Sequence, residues 1–193
     1  MSISFISSPR LHTVCRWSPR SAREYTGLLA PRGIVIDDIV RRMIRRLCDE
    51  ADHRQVELAM GSSPHINLRV LPIAEMPAHR DDGVEASGLY DYAPAIFPVS
   101  LVHPFLVLEM LVCRTELMPR GRIYAAMDPI AIGGSDDFIL AIDRKKDETH
   151  LEGVNPVVGD LKGWNKGHYA TNGAPGSPVK WQANSSWLFA VRE

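Results

Sequence analysis

The apolar positions of the chain change their period twice before residue 72. Ile36, Ile39, Val40, Met43, Ile44, Leu47, Cys48 and Ala51 recur at helical spacing and form one continuous stripe. This predicts a helix within residues 34 to 60, with Asp37 and Asp38 at its start, where carboxylates suit the positive end of the helix dipole and cap free N–H groups. After Gly61 and Pro64 the period drops to two. Ile66, Leu68 and Val70 alternate with Asn67 and Arg69, the pattern of a strand with one buried face. From His79 through Tyr92 the chain reads as a polar loop. Ile96 to Val112 is its most apolar part. Prolines at 94, 98 and 104 argue there for extended pieces broken by bends, with a short buried helix over Phe105 to Val112 as the alternative.

Further strands are predicted at Arg122 to Ile132 and Phe138 to Ile142, separated by the Gly133-Gly134-Ser135 turn, then near Tyr169 to Thr171 and from Val179 to Val191. Asp143 to Glu152 reads as a charged loop. Residues 1 to 33 are rich in Ser, Arg and Pro without a sustained period and are expected to wrap the outside of the fold. One helix followed by many short strands predicts a single domain, mainly β with an N-terminal helix (α+β), in which residues 65 to 193 form an antiparallel sandwich or barrel.

Composition narrows the function classes. At 193 residues the chain suits one well-buried core, and a formal charge of −1 offers no global field for nucleic acid or an anionic membrane. No apolar run reaches the roughly 18 residues of a membrane helix. Cys15, Cys48 and Cys113 are an odd number and show no zinc spacing, so reduced thiols and a cytoplasmic location are expected. Cys113, between apolar neighbours, reads as an inert buried thiol. Arg41, Arg42, Arg45 and Arg46 line the polar side of the predicted helix, where Asp49, Glu50 and Asp52 can neutralise them.

The chemistry-bearing stretch is Ile66 to Gly83, in which a strand runs into His79-Arg80-Asp81-Asp82. In extended chain, residues i and i+2 point the same way with α-carbons about 6.5–7 Å apart, so His79 and Asp81 can converge on one ion. A third ligand must come from elsewhere. His168 is the leading candidate, with His150 as its competitor. Two histidines and one carboxylate leave three positions of an octahedral Fe(II) open on one side.

In order, a strand into His79-Arg80-Asp81, the Gly133-Gly134 turn, Pro156 through Gly159-Asp160, His168 and Lys180 resemble the Fe(II)/2-oxoglutarate-dependent oxygenases over about the last three fifths of the chain. The resemblance implies a double-stranded β-helix, a jelly-roll or cupin-like barrel, with Fe(II) on His79, Asp81 and His168. It further implies 2-oxoglutarate held by Lys180, Asn172 lining the pocket, and hydroxylation of a small-molecule or peptide substrate.

Each of these residues also has an ordinary role. The His79–Asp82 tetrad suits a solvated turn before Gly83, and Lys180 suits an edge strand. His103, between Val102 and Pro104, reads as a buried hydrogen-bonded histidine, and Trp164, Trp181 and Trp187 as core. The sequence therefore supports a second class of function, a non-catalytic β-rich protein of inhibitor or immunity type that binds a protein partner. A third is a cupin-like metal enzyme using His65 or His103.

Overall fold

A computed structural model of the chain describes residues 10–14, 20–50, 65–76, 83–133, 137–158, 169–170, 180–182 and 184–192. The region expected to be an irregular wrap contains β1 (Arg10–Val14) and α1 (Ala22–Leu29). Ser21 and Glu24 start α1 by a reciprocal capping box, in which the Ser21 hydroxyl accepts from the Glu24 N–H and the Glu24 carboxylate accepts from the Ser21 N–H. After β2 (Ile34–Ile36) comes the predicted helix, α2 (Asp38–Glu50), which buries Val40, Met43 and Ile44. Asp37 does more than cap it. One carboxylate oxygen accepts from Val40 N–H at 2.7 Å, and the other accepts from Gly153 N–H at 3.2 Å, tying the helix start to a distant strand.

β3 (His65–Pro72) is the predicted alternating strand, with Ile66, Leu68 and Val70 buried. The segment through Tyr92 departs from the predicted loop, because α3 (Ala86–Ile96) begins at Ala86. Its Pro94 falls in the last turn, where the Phe97 N–H still reaches Ala93 O at 2.9 Å. After β4 (Val99–Ser100), Pro104–Arg114 forms α4, the buried helix that was the alternative reading. Proline is welcome at its first turn, where the missing N–H has no intrahelical role. The helix shows no apolar stripe because Phe105 and every residue from Val107 to Val112 are buried.

β5 (Gly121–Ala125), β6 (Ile130–Ala131), β7 (Asp137–Arg144) and β8 (Thr149–Val154) follow, so the expected charged loop from Asp143 to Glu152 is strand at both ends and loop only between Arg144 and Thr149. Then come β9 (Tyr169–Ala170), β10 (Lys180–Trp181) and β11 (Ser186–Val191). Nine strands make one sheet along the path β1-β3-β11-β5-β7-β8-β2, with β4 also on β11 and β6 on β7, while β9 and β10 pair separately. The β11–β5 and β8–β2 pairs are parallel and the others antiparallel. The fold is mixed α/β, and the sheet is open instead of closing into the expected jelly roll. The chain spends four helices, among the described residues, covering faces that a barrel would cover with strands.

Register assigns the faces. One carries Leu68 and Val70, Leu188, Ile123, Leu140 and Ile142, Leu151, and Ile36. α2 crosses this face at Gly153, where an added Cβ would lie 2.9 Å from Ile39 Cβ and 3.3 Å from Met43 Sδ. α1 packs on α2 and α4 to complete the layer. Here Glu109 of α4 is fully buried, paired with Arg20 and accepting from the Tyr25 hydroxyl at 2.8 Å. The opposite face carries Trp187, Tyr124, Arg122, Asp143 and Glu152. Trp181 stands 4.6 Å from Tyr124 and 5.1 Å from Trp187, ring centre to ring centre, and Tyr90 of α3 meets Trp187 edge-on.

Candidate functional site

A concavity arises where two strands part. β5 accompanies β11 from Ser186 to Leu188, and β4 takes over the same flank at Ala190 and Val191. Beyond that handover β4 runs on toward α4, and the chain after β5 turns toward β6. A pocket of about 510 Å³ opens between them, at the carboxyl ends of the parallel pair β5 and β11. Such crevices are where open sheets commonly take ligands, and the volume suits a compact organic molecule. α2 supplies Arg46, Leu47 and Glu50, the β4–α4 link supplies Ser100 through Pro104, and the turn after β5 supplies Asp128 through Ala131.

His103 is the best-defined polar group of this lining. It is the N-cap of α4, and its Nδ1 accepts the Phe105 N–H at 3.3 Å while its ring stacks on Phe105 at 5.5 Å. A nitrogen that accepts a backbone N–H carries no proton, so the proton of the neutral ring sits on Nε2. Burial pushes the imidazole below its ordinary pKa, against a smaller opposing pull from Asp128. Ser100, His103 and Asp128 share the pocket, yet this tautomer is the reverse of the one a Ser-His-Asp triad needs, in which Nδ1–H donates to the carboxylate and Nε2 receives the serine proton. The imidazole is built to donate from Nε2. Arg46 pairs with Glu50 at 2.5 Å, whereas exposed Asp128 has no ion-pair partner among the described residues.

Four of the five predicted site residues, His79, Asp81, His168 and Asn172, lie outside the described residues. Lys180 is exposed on β10. The alternative ligand His150 contacts the Glu148 carboxylate at 2.7 Å, and of His65 only the backbone is described. Among the described residues no three His, Cys, Asp or Glu side chains group to hold a metal. What the structure does bring together are neighbours of the predicted ligands. Val84 and Trp181 exchange both backbone hydrogen bonds, and Trp181 is opposite Tyr169 in the β9–β10 pair. Gly83, at φ +70°, approaches so closely that a Cβ there would sit 2.8 Å from Trp181 O.

Two other expectations change. Cys113 is disulfide-bonded, which corrects its reading as an inert reduced thiol. Cys48 is free, and burial pushes its thiol up to about 11, far from a nucleophile at neutral pH. Trp181 and Trp187 are fully buried, as expected of core. A second concavity of about 330 Å³ mixes Arg32, Arg144, Lys145 and Lys146 with Glu116, Asp147 and Glu148. Its guanidinium groups are already engaged, Arg32 by Leu28 O and Arg144 by Glu116 O and Met118 O.

His103 is hydrogen-bonded as expected but half-buried at a pocket instead of buried, and no sequence pattern connects it with Ser100, Asp128, Arg46 or Glu50. Only the strand handover at β11 joins them. The His103-Pro104 pair was the available signal, being a polar cap followed by proline at the first helical position. No protein-family model matches the chain, and neither a curated protein nor a solved structure does.

Proposed function

We propose that the chain is a non-catalytic binding protein that takes a compact ligand into the pocket at the carboxyl ends of β5 and β11. The observation that carries this reading is the engaged Nδ1 of His103. The one imidazole that the described residues bring to the pocket is committed to capping α4 and offers a donor, so the lining has recognition chemistry without a histidine free to act as a base. Aliphatic walls from Leu47, Leu101, Val102 and Ile130 supply apolar contact, and a few polar groups supply orientation. Amide NMR with 1-hexanol tests the reading. Shifts should concentrate in Ser100–Leu106 and Asp128–Ala131 and disappear in Ala131→Trp, which puts a bulky side chain on the lining. Shifts spread over the surface, or unchanged in that variant, would overturn it.

A second reading, the Fe(II)/2-oxoglutarate-dependent hydroxylase, is favoured by the pairing around Trp181. Gly83 and Val84 follow the His79–Asp82 segment closely, Tyr169 directly follows His168, and both meet the Lys180–Trp181 strand. His79, Asp81 and His168 would hold the iron, which when bound supplies the oxidising chemistry, and Lys180 would bind the co-substrate carboxylate. This site would rest on an open sheet instead of the barrel that the resemblance implies. Anaerobic Fe(II) with 2-oxoglutarate should give a weak visible charge-transfer band in the native chain and none in His79→Ala. Equal spectra would remove the proposed ligand set.

A further inference from the structure

The charge of the pocket lining selects among ligands. Among the described residues Arg46 is the one cationic side chain of the lining, and it is paired with Glu50 at 2.5 Å. His103 is held neutral by its cap bond and its burial. Asp128 then has no cationic partner among the described residues, whose lining side chains carry one uncompensated negative charge. The Asp128 carboxylate can only accept hydrogen bonds, and an ammonium brings three donors and the missing charge. A carboxylate or phosphate ligand would face like charge instead, although His103 and Ser100 could donate to a neutral oxygen beside the cationic centre.

We infer that the occupant of this pocket is a small organic cation, a primary ammonium on an apolar body, with its nitrogen at Asp128 and its hydrocarbon against Leu101, Val102 and Ile130. This inference rests on the binding reading above. Asp128 is solvent-exposed, so its attraction is screened and sets a preference more than an affinity.

Three probes with the same hydrocarbon separate the two ideas: hexylammonium, 1-hexanol and hexanoate, titrated by ligand-observed NMR at low salt. Hexylammonium should bind more tightly than 1-hexanol by about two- to fivefold, as an exposed ion pair allows, and hexanoate most weakly. Asp128→Asn should abolish the margin of the ammonium over the alcohol, and added salt should shrink that margin. Hexanoate binding as tightly as hexylammonium would overturn the inference and leave the pocket reading standing. An undiminished margin in Asp128→Asn would do the same. If none of the three binds, or if all bind equally well to Ala131→Trp, the pocket reading falls and takes the cation with it.

Discussion

The two faces of the sheet are both covered, yet they handle charge differently. On the helical face the strands contribute aliphatic side chains, and the buried acid comes from a helix, as Glu109 with its Arg20 and Tyr25 partners. On the aromatic face the charges belong to the strands themselves. Arg122 on β5 lies opposite Asp143 on β7, and its guanidinium reaches Glu152 on β8 at 2.7 Å and Asp143 at 3.8 Å. The helical-face pair fastens two helices of one layer together, because Arg20 precedes α1 and Glu109 sits in α4. The aromatic-face group instead links three consecutive strands, and so bears on sheet register.

The comparison can be broken from either side. Arg122→Met leaves two partly buried carboxylates without this cation and should cost about 3–5 kcal/mol in urea unfolding, the largest effect expected. Glu109→Gln keeps an acceptor for Tyr25 but strands the Arg20 charge, and should cost about 3 kcal/mol. A double change to Arg20→Met and Glu109→Gln should recover much of that loss, since it removes the stranded charge and still leaves the Tyr25 hydroxyl an acceptor. If Glu109→Gln proved neutral, the helical-face pair would not be fastening α1 to α4. Gly153→Ala probes the same face by volume, and should cost about 1–3 kcal/mol as α2 is pushed off β8 by the new methyl against Ile39.

His103 gives a smaller and pH-dependent effect. Its imidazole is depressed in the folded chain, so the unfolded state binds the proton more readily. Its contribution is therefore fully present above the unfolded value of about 6.5 and is lost as pH falls toward the folded value. Urea midpoints for the native chain and His103→Asn, compared at pH 7.5 and 5.0, should show a shallower fall in the variant, because Asn caps the helix without titrating. His103→Ala should lose about 1 kcal/mol at pH 7.5 from the missing cap and less at pH 5.0, where the native imidazole's own contribution is falling. Smallest of all, Arg42→Gln with Arg45→Gln on the exposed side of α2 should stay within about 0.5 kcal/mol.

What could be read from the sequence follows the same division. α2 and β3 were legible because each has one face in the core and one outside it, so period and burial coincide at Val40, Met43, Ile44 and at Ile66, Leu68, Val70. α4 was legible only as an alternative, since burial on all sides erases the stripe that marks a helix. α1 and α3 were missed. The Ser21-Ala22-Arg23-Glu24 capping box marked the first, while Pro94 and a weak apolar pattern hid the second. The second half of the expected charged loop is β8, because Glu152 is matched by Arg122 across the sheet, which no local pattern reveals. The pocket was invisible for the same reason. Arg46, Ser100, His103, Asp128 and Ala190 come from five separate stretches that meet only after β4 replaces β5 beside β11.

The place of β11 has a consequence for assembly. It follows every other described strand in sequence, yet it is the sole described link between β1-β3 on one side and β5-β7-β8-β2 on the other. A nascent chain that has not yet delivered Ser186–Val191 can build two half-sheets but cannot join them. Each half would wait with a hydrogen-bonding margin open, that of β3 and that of β5, and those margins are where an incomplete chain is most exposed to pairing with a neighbour.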